Sequence, residues 1–329
     1  MTTRFIVLLT ILMGFILCAG WLSLTQLSTL ALNTHTALKV LSGNTPHTAI
    51  GLVMTELRLP RFIGALLCGA ALAGAGLIMQ AITANPIASP SIFGITSGAN
   101  LGFVLAVLNP LWPAWLPEQI AAIILAALCW FIVMRLGNVH KNTGSMIQLV
   151  LVGAAISTFC AAITKTLLIF FESTSHSLLS QMAGNLAGLR WPDIIPLMAI
   201  LVPLLILTQC ICNKLNLIRL GHQQAQNIGL NTNRWLLIFS SIVLVSVSTV
   251  ISYCGQFAFV GLVVPHISRL FIGHDHRVSF PITCLLGATL IAWSDVLGRA
   301  SNFPAETPAG AVIALIGAPI FLYLVRRKS

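Results

Sequence analysis

The chain has 329 residues, of which 57% are hydrophobic and only 7% charged, and its mean hydropathy is +0.96. Soluble domains carry roughly 25% charged residues, so this chain lacks the polar surface to sit in water, and a polytopic membrane protein is the class that remains. The formal net charge of +10 comes from Lys and Arg scattered between apolar runs, which argues against a nucleic-acid-binding stripe and suits positive loops held in the cytoplasm.

In chain order, hydrophobic segments run at 5–25, 62–82, 92–108, 117–136, 145–171, 193–212, 234–253, 256–272, 280–298 and 309–325. A spanning helix needs about 20 apolar residues, and lipid demands that each segment satisfy its own backbone. The runs are continuous, unlike the alternating strands of an outer-membrane barrel. They predict an all-α fold of about ten spans in one domain over 1–329, with no soluble domain or linker. The first segment has no small-residue cleavage site, and Leu17 before Cys18 does not fit a lipoprotein site, so it is expected to stay as an uncleaved span. Segment 92–108 is short and Gly-rich.

Between the spans, residues 26–57 form a polar external stretch, 172–192 a second, amphipathic one with a short helix, and 213–233 the longest cytoplasmic connection. With the N-terminus in the cytoplasm, eleven basic residues fall inside and six outside: Lys39, Arg58, Arg61, Lys165, Arg190 and Arg299. The bias predicts both termini in the cytoplasm. The eight cysteines lie mostly within apolar runs and form no CxxC pair, so they read as small hydrophobes.

Catalytic signatures are missing. The chain holds no HExxH, no G-x-S-x-G and no G-x-x-x-x-G-K-[ST] phosphate loop, so it is not expected to be an enzyme, and any ATP site must be on another chain. No cofactor or resident metal is expected. Gly64, Gly69, Ala70, Ala73, Gly74 and Gly76 supply small faces on which helix backbones can close up. In "TANPIASPSIFGITSGAN" (83–100) two prolines and several Gly/Asn positions break the helix, either as a plain turn or as irregular backbone lining a path. "GHQQAQNIGLNTNR" (221–234) spaces Gly221, Ala225 and Gly229 four apart; it reads as a helix docking in a partner's groove or as an interfacial helix. In "FVGLVVPHISRLFIGHDHR" (259–277), His266 follows a proline and suits the carbonyls that Pro265 frees. His274–Arg277 reads as a capped cytoplasmic turn before it reads as a metal cluster.

Taken together, these stretches resemble the iron-siderophore and vitamin B12 family of ABC-importer permeases. The resemblance rests on R-x-P-R (58–61), G-A-x-L-A-x-x-G leading to Gln80, N-P-x-A-x-P (85–90) and G-x-x-x-G-A (94–99). It continues through G-x-x-x-A-x-x-x-G (221–229), F-V-G-L-V-V-P-H-x-x-R (259–269), D-x-x-x-R (295–299), E-x-P-A-G (306–310) and I-G-A-P-x-F (316–321). Within the family the 85–99 and C-terminal stretches look most similar to ferric-citrate permease subunits.

The resemblance implies a bacterial inner-membrane permease of the type II ABC-importer fold. It would pair with a second permease, a copy or a paralogue, and work with two ATP-binding subunits and a periplasmic binding protein to import a ferric chelate. By the same resemblance, Arg58, Arg61 and Arg299 would receive acidic residues of the binding protein, and the 213–230 loop with Gly221, Ala225 and Gly229 would couple to the ATPase. Asn85 and Ile87, with the 138–146 turn, would form the cytoplasmic gate, and the fifth and tenth spans would line the pathway. Lys165, in the outer half of the fifth span, either faces that pathway and attracts an anionic chelate or snorkels to the interface. A proton-coupled secondary transporter is the alternative class; Asp295 is its one membrane-embedded acid, and it sits four residues from Arg299.

Overall fold

The computed structural model describes residues 2–25, 48–113, 115–137, 146–219, 222–227, 229–302 and 305–326. Ten apolar helices match the predicted spans: α1 (Thr2–Thr25), α2 (Leu59–Ile82), α3 (Ile95–Leu108), α4 (Glu118–Leu136), α5 (Met146–Phe170), α6 (Trp191–Ile218), α7 (Thr232–Cys254), α8 (Val260–Ile272), α9 (His276–Ser301) and α10 (Ala309–Arg326). Seven are long and apolar enough to cross a bilayer, while α3, α8 and α10 are shorter. With 14 residues, α3 reaches only about 21 Å at ~1.5 Å per residue, less than the roughly 30 Å hydrocarbon layer. Its missing turns are the irregular residues 83–94, so α3 starts inside the protein and not at its edge. The short helix expected in 172–192 is Glu172–Met182.

The fold is built around α2. About 72% of the apolar stretch containing it is buried, against 22% for α1, α5 and α6, because α2 lies between α9, α7, α8 and α6. Its glycines explain the closeness. A Cβ at Gly69 would stand 2.2 Å from the carbonyl oxygen of Gly287 in α9, and one at Gly76 would stand 1.9 Å from that of Gly261 in α8. In lipid, where apolar burial drives little, such backbone-on-backbone packing holds helices together.

Two breaks in regular hydrogen bonding are repaired from neighbouring helices. Before α2, the turn Ala49–Leu52 runs into a π-helical turn, Val53–Arg58, and Trp191 Nε1 of α6 donates to the Thr55 carbonyl at 2.9 Å. In α8, Pro265 has no N–H for the carbonyl of Gly261. Gln80 of α2 fills in: its Nε2 donates to the carbonyls of Leu262 at 3.1 Å and Gly261 at 3.4 Å, while its Oε1 accepts from Arg269. The sequence offers His266, the proline's neighbour, for that task; Gln80 brings a donor to those carbonyls from another helix.

Gly76→Ala and Gly287→Ala should each destabilise the folded permease by about 1–3 kcal/mol through overpacking. The effect should appear as earlier thermal unfolding and a lower monodisperse yield. Gly14→Ala, where a Cβ meets open space, should behave as the parent.

Candidate functional site

Three groups of chemistry-bearing residues stand out, one at each end of the helix bundle and one within it. At the end where α1 and α9 finish and α2 begins, Arg58, Arg61 and Arg299 come together. They are only 8%, 8% and 3% exposed, whereas the sequence reading places them on the external surface. Arg61 grips Asp295 through Nε and Nη2 at 2.7–3.1 Å and donates Nη1 to Glu306 at 2.7 Å. Arg299 lies 3.5 Å from the same Asp295 carboxylate and donates to the Ser23 hydroxyl at 2.8 Å. Arg58 donates to the carbonyls of Ser23 and Leu24 at 3.0 and 3.1 Å. Those carbonyls belong to the last turn of α1, which has no helical donors of its own and carries the negative end of the helix dipole. The arginines turn inward because a guanidinium at this depth needs partners, and a carboxylate plus a helix end supply them.

The opposite end is a polar clamp. Asp275 caps α9 by accepting from the Arg277 N–H at 3.0 Å, as the reading of 274–277 as a capped turn requires. Asn216 of α6 donates to Asp275 at 2.7 Å and accepts from the His276 N–H at 2.9 Å. These bonds, the one from Asn216 first, hold the Asp275 carboxyl below the usual carboxylate range. Gln209 donates to the Arg277 carbonyl at 3.0 Å, and Arg277 donates to Asn213. The end of α6 is thereby tied to the α8–α9 turn just before the chain enters the 222–227 segment.

That segment differs from the expected helix. His222–Asn227 is six residues long, and Gly229, at φ +82°, terminates it. The N–H groups of Gly229 and Leu230 bond to the carbonyls of Gln226 at 2.8 Å and Ala225 at 3.0 Å, the pattern of a glycine-ended helix. Gly229 therefore does not extend a face with Ala225, and Ala225 is itself fully buried within the chain. Gly221 lies outside the described residues.

Within the bundle, residues 83–94 replace the start of α3. Ala84 is left-handed at φ +49°. Asn85 Oδ1 accepts from the Ile87 N–H at 3.1 Å, and Ile87 projects 54% exposed. Pro90–Phe93 form a 3₁₀ turn ending at Gly94, φ +70°. This turn rests on α5, where Ser157 Oγ donates to the Ser91 carbonyl at 3.1 Å. A Cβ at Gly153 of α5 would stand 1.6 Å from the Ile92 carbonyl oxygen. Lys165 is exposed on α5. Most of the 138–146 turn, residues 138–145, lies outside the described residues.

Several of these relations have no sequence signal: the Arg61–Asp295 pair joins positions 234 apart, and the Asn216 clamp joins positions about 60 apart. Gln80 does carry one, a lone amide in an apolar helix.

Comparison with known proteins bears on the whole chain. The model of the FecCD transport family matches residues 6–327. The Fe(3+) dicitrate transport system permease protein FecC of Escherichia coli (strain K12) is 39% identical over 311 residues, 94% of this chain and 93% of that protein. The vitamin B12 import system permease protein BtuC of Klebsiella pneumoniae is 37% identical over 282 residues, 84% of this chain and 83% of that one. A solved structure described as an inward-facing conformation of a metal-chelate type ABC transporter superposes with a TM-score of 0.79 at 26% identity. It covers 98% of this chain and 99% of that one.

Asp295→Asn should cost the fold about 3–5 kcal/mol, since it leaves buried guanidiniums without their carboxylate. Glu306→Gln, at a side chain 41% exposed, should cost about 1 kcal/mol or less. Thermal unfolding of the two variants in nanodiscs should rank them in that order.

Proposed function

The chain belongs to the FecCD transport family, and from that premise we propose that it is the permease that carries ferric citrate from periplasm to cytoplasm in an ATP-driven importer. As a family member it is a non-catalytic, multi-pass inner-membrane permease subunit of a metal-chelate type ABC importer, with ATP hydrolysis on partner subunits. The finer reading rests on one observation. The ferric dicitrate permease combines 39% identity with 94% of the chain, against 37% over 84% for the vitamin B12 permease and 32% over 95% for an iron(3+)-hydroxamate permease.

In this reading both termini are cytoplasmic, and the chain pairs with a second permease, a copy or a paralogue. Two ATP-binding subunits meet it from the inside and a periplasmic binding protein from the outside. Arg58, Arg61 and Arg299 mark the docking end, where acids of the binding protein approach Arg61 from the side of Glu306, its exposed partner. Ala225 and Gly229, with Gly221, belong to the coupling loop, which the Asn216 clamp holds at a set distance from α9. Asn85 and Ile87 form the cytoplasmic gate, and Lys165 draws the anionic chelate along α5. The proton-relay alternative needs an available acid, and both oxygens of Asp295 are already engaged by guanidinium groups.

Membrane vesicles carrying the permease, its ATPase and the binding protein should take up labelled ferric citrate in a vanadate-sensitive manner, and unlabelled ferric citrate should compete better than cobalamin. Lys165→Met should lower the rate several-fold. Uptake that a protonophore stops and vanadate leaves intact would overturn the ATP-driven reading, and preferential competition by cobalamin would overturn the substrate.

A further inference from the structure

The two carboxylates that serve Arg61 are held in unlike ways. Asp295 stands on α9 with its side chain 4% exposed, and it accepts from Nε and Nη2 of Arg61 at 2.7–3.1 Å. Glu306 stands on the stretch 305–308 between α9 and α10, with its side chain 41% exposed. Its one partner among the described residues is Arg61 Nη1, at 2.7 Å. The guanidinium therefore has an inner face filled by a buried acid and an outer face covered by an acid that reaches in from the open side.

The backbone that follows Glu306 is pinned. The Thr307 N–H donates to the Gly298 carbonyl of α9 at 3.2 Å, and its hydroxyl meets that of Ser301 at 3.1 Å. A Cβ at Gly298 would stand 2.5 Å from the Thr307 carbonyl oxygen, so the contact is close. Gly310, in the first turn of α10, donates to the Gly184 carbonyl at 3.0 Å. Glu306 can therefore leave Arg61 by turning its own side chain, with no helix having to move. A part-exposed ion pair holds such a long side chain only weakly.

Charge decides what can take its place. Asp295 is shared, since Arg299 lies 3.5 Å from the same carboxylate, and Glu306 supplies the second negative charge facing Arg61 and Arg299. When Glu306 leaves, the two guanidiniums face one carboxylate, and a buried charge that loses its partner is costly. Water replaces the lost bond poorly, because hydrogen bonds between two ionised groups are about twice as strong as neutral ones. A carboxylate from another protein replaces it on equal terms.

We propose that Glu306 is a placeholder: it covers the outer face of Arg61 until an acidic side chain of the periplasmic binding protein displaces it. This rests on the proposed reading that the arginine cluster is the docking end, and it adds the residue of this chain that competes with the partner. Docking at Arg61 is then an exchange of one carboxylate for another, not the addition of a new ion pair. The partner breaks a bond before it makes one, and Glu306 returns when the partner leaves. Such an exchange keeps Arg61 paired at every stage and limits the affinity of a binding protein that has to depart after each delivery.

The test uses the full permease–ATPase complex in nanodiscs and the purified binding protein, with affinity read by biolayer interferometry. Glu306→Gln keeps the size of the side chain and removes the competing charge. It should bind the binding protein about two- to fivefold more tightly than the parent, the range that a part-exposed ion pair is worth. Glu56→Gln is the control: Glu56 is exposed two residues before Arg58 at the same end, so its loss changes the local field equally without uncovering Arg61, and its effect should be smaller. Equal gains by the two variants would reflect general attraction of an acidic partner and overturn the placeholder. So would an affinity that Glu306→Gln lowers or leaves unchanged, and that result would leave the docking reading standing. Failure of both the parent and Glu306→Gln to bind the binding protein overturns the docking reading, and the placeholder with it.

Discussion

The close approach of α2 to α8 and α9 is the constraint from which the rest of this structure follows. Lipid offers no hydrophobic gain for pressing helices together, so the contact depends on shape, and only glycine backbones at Gly69, Gly76 and Gly287 leave room for it. Once α2 lies that close to α8, Gln80 can reach the carbonyls exposed by Pro265. Once it lies that close to α9, Arg61 can reach Asp295. The packing, the repaired proline break and the charge cluster are three results of one approach distance.

The charged residues show how a chain with so few of them uses each one. Asp295 holds two arginines, and the end of α1 holds Arg58 and Arg299 through its terminal carbonyls. The guanidiniums therefore join α1, α2 and α9 at one end, as Asn216 and Asp275 join α6 to α9 at the other. A binding event at either end meets an element already tied to the long helix α9, which spans from one clamp to the other.

The spans could be read from the sequence because continuous apolar runs are a one-dimensional signal, and the small-residue faces of α2 were visible for the same reason. The burial of the arginines was not, because the positive-inside rule describes side and not depth, and their partners lie in distant sequence. The 221–229 stretch shows a related difficulty. Four-residue spacing suggests one continuous face, but a glycine at the end of such a run is also the usual helix terminator, and Gly229 takes that role.

The contact between Gly69 and Gly287 is reciprocal, since a side chain on either would meet the other's carbonyl oxygen at 2.2 Å. Neither position can change first, and a simultaneous change would make the collision worse. In evolutionary terms the pair is a mutual lock: substitutions can drift along the lipid-facing sides of α1, α5 and α6, while this crossing point stays glycine on both sides. Among permeases built on the same crossing, this point should vary least, whatever chelate each one carries.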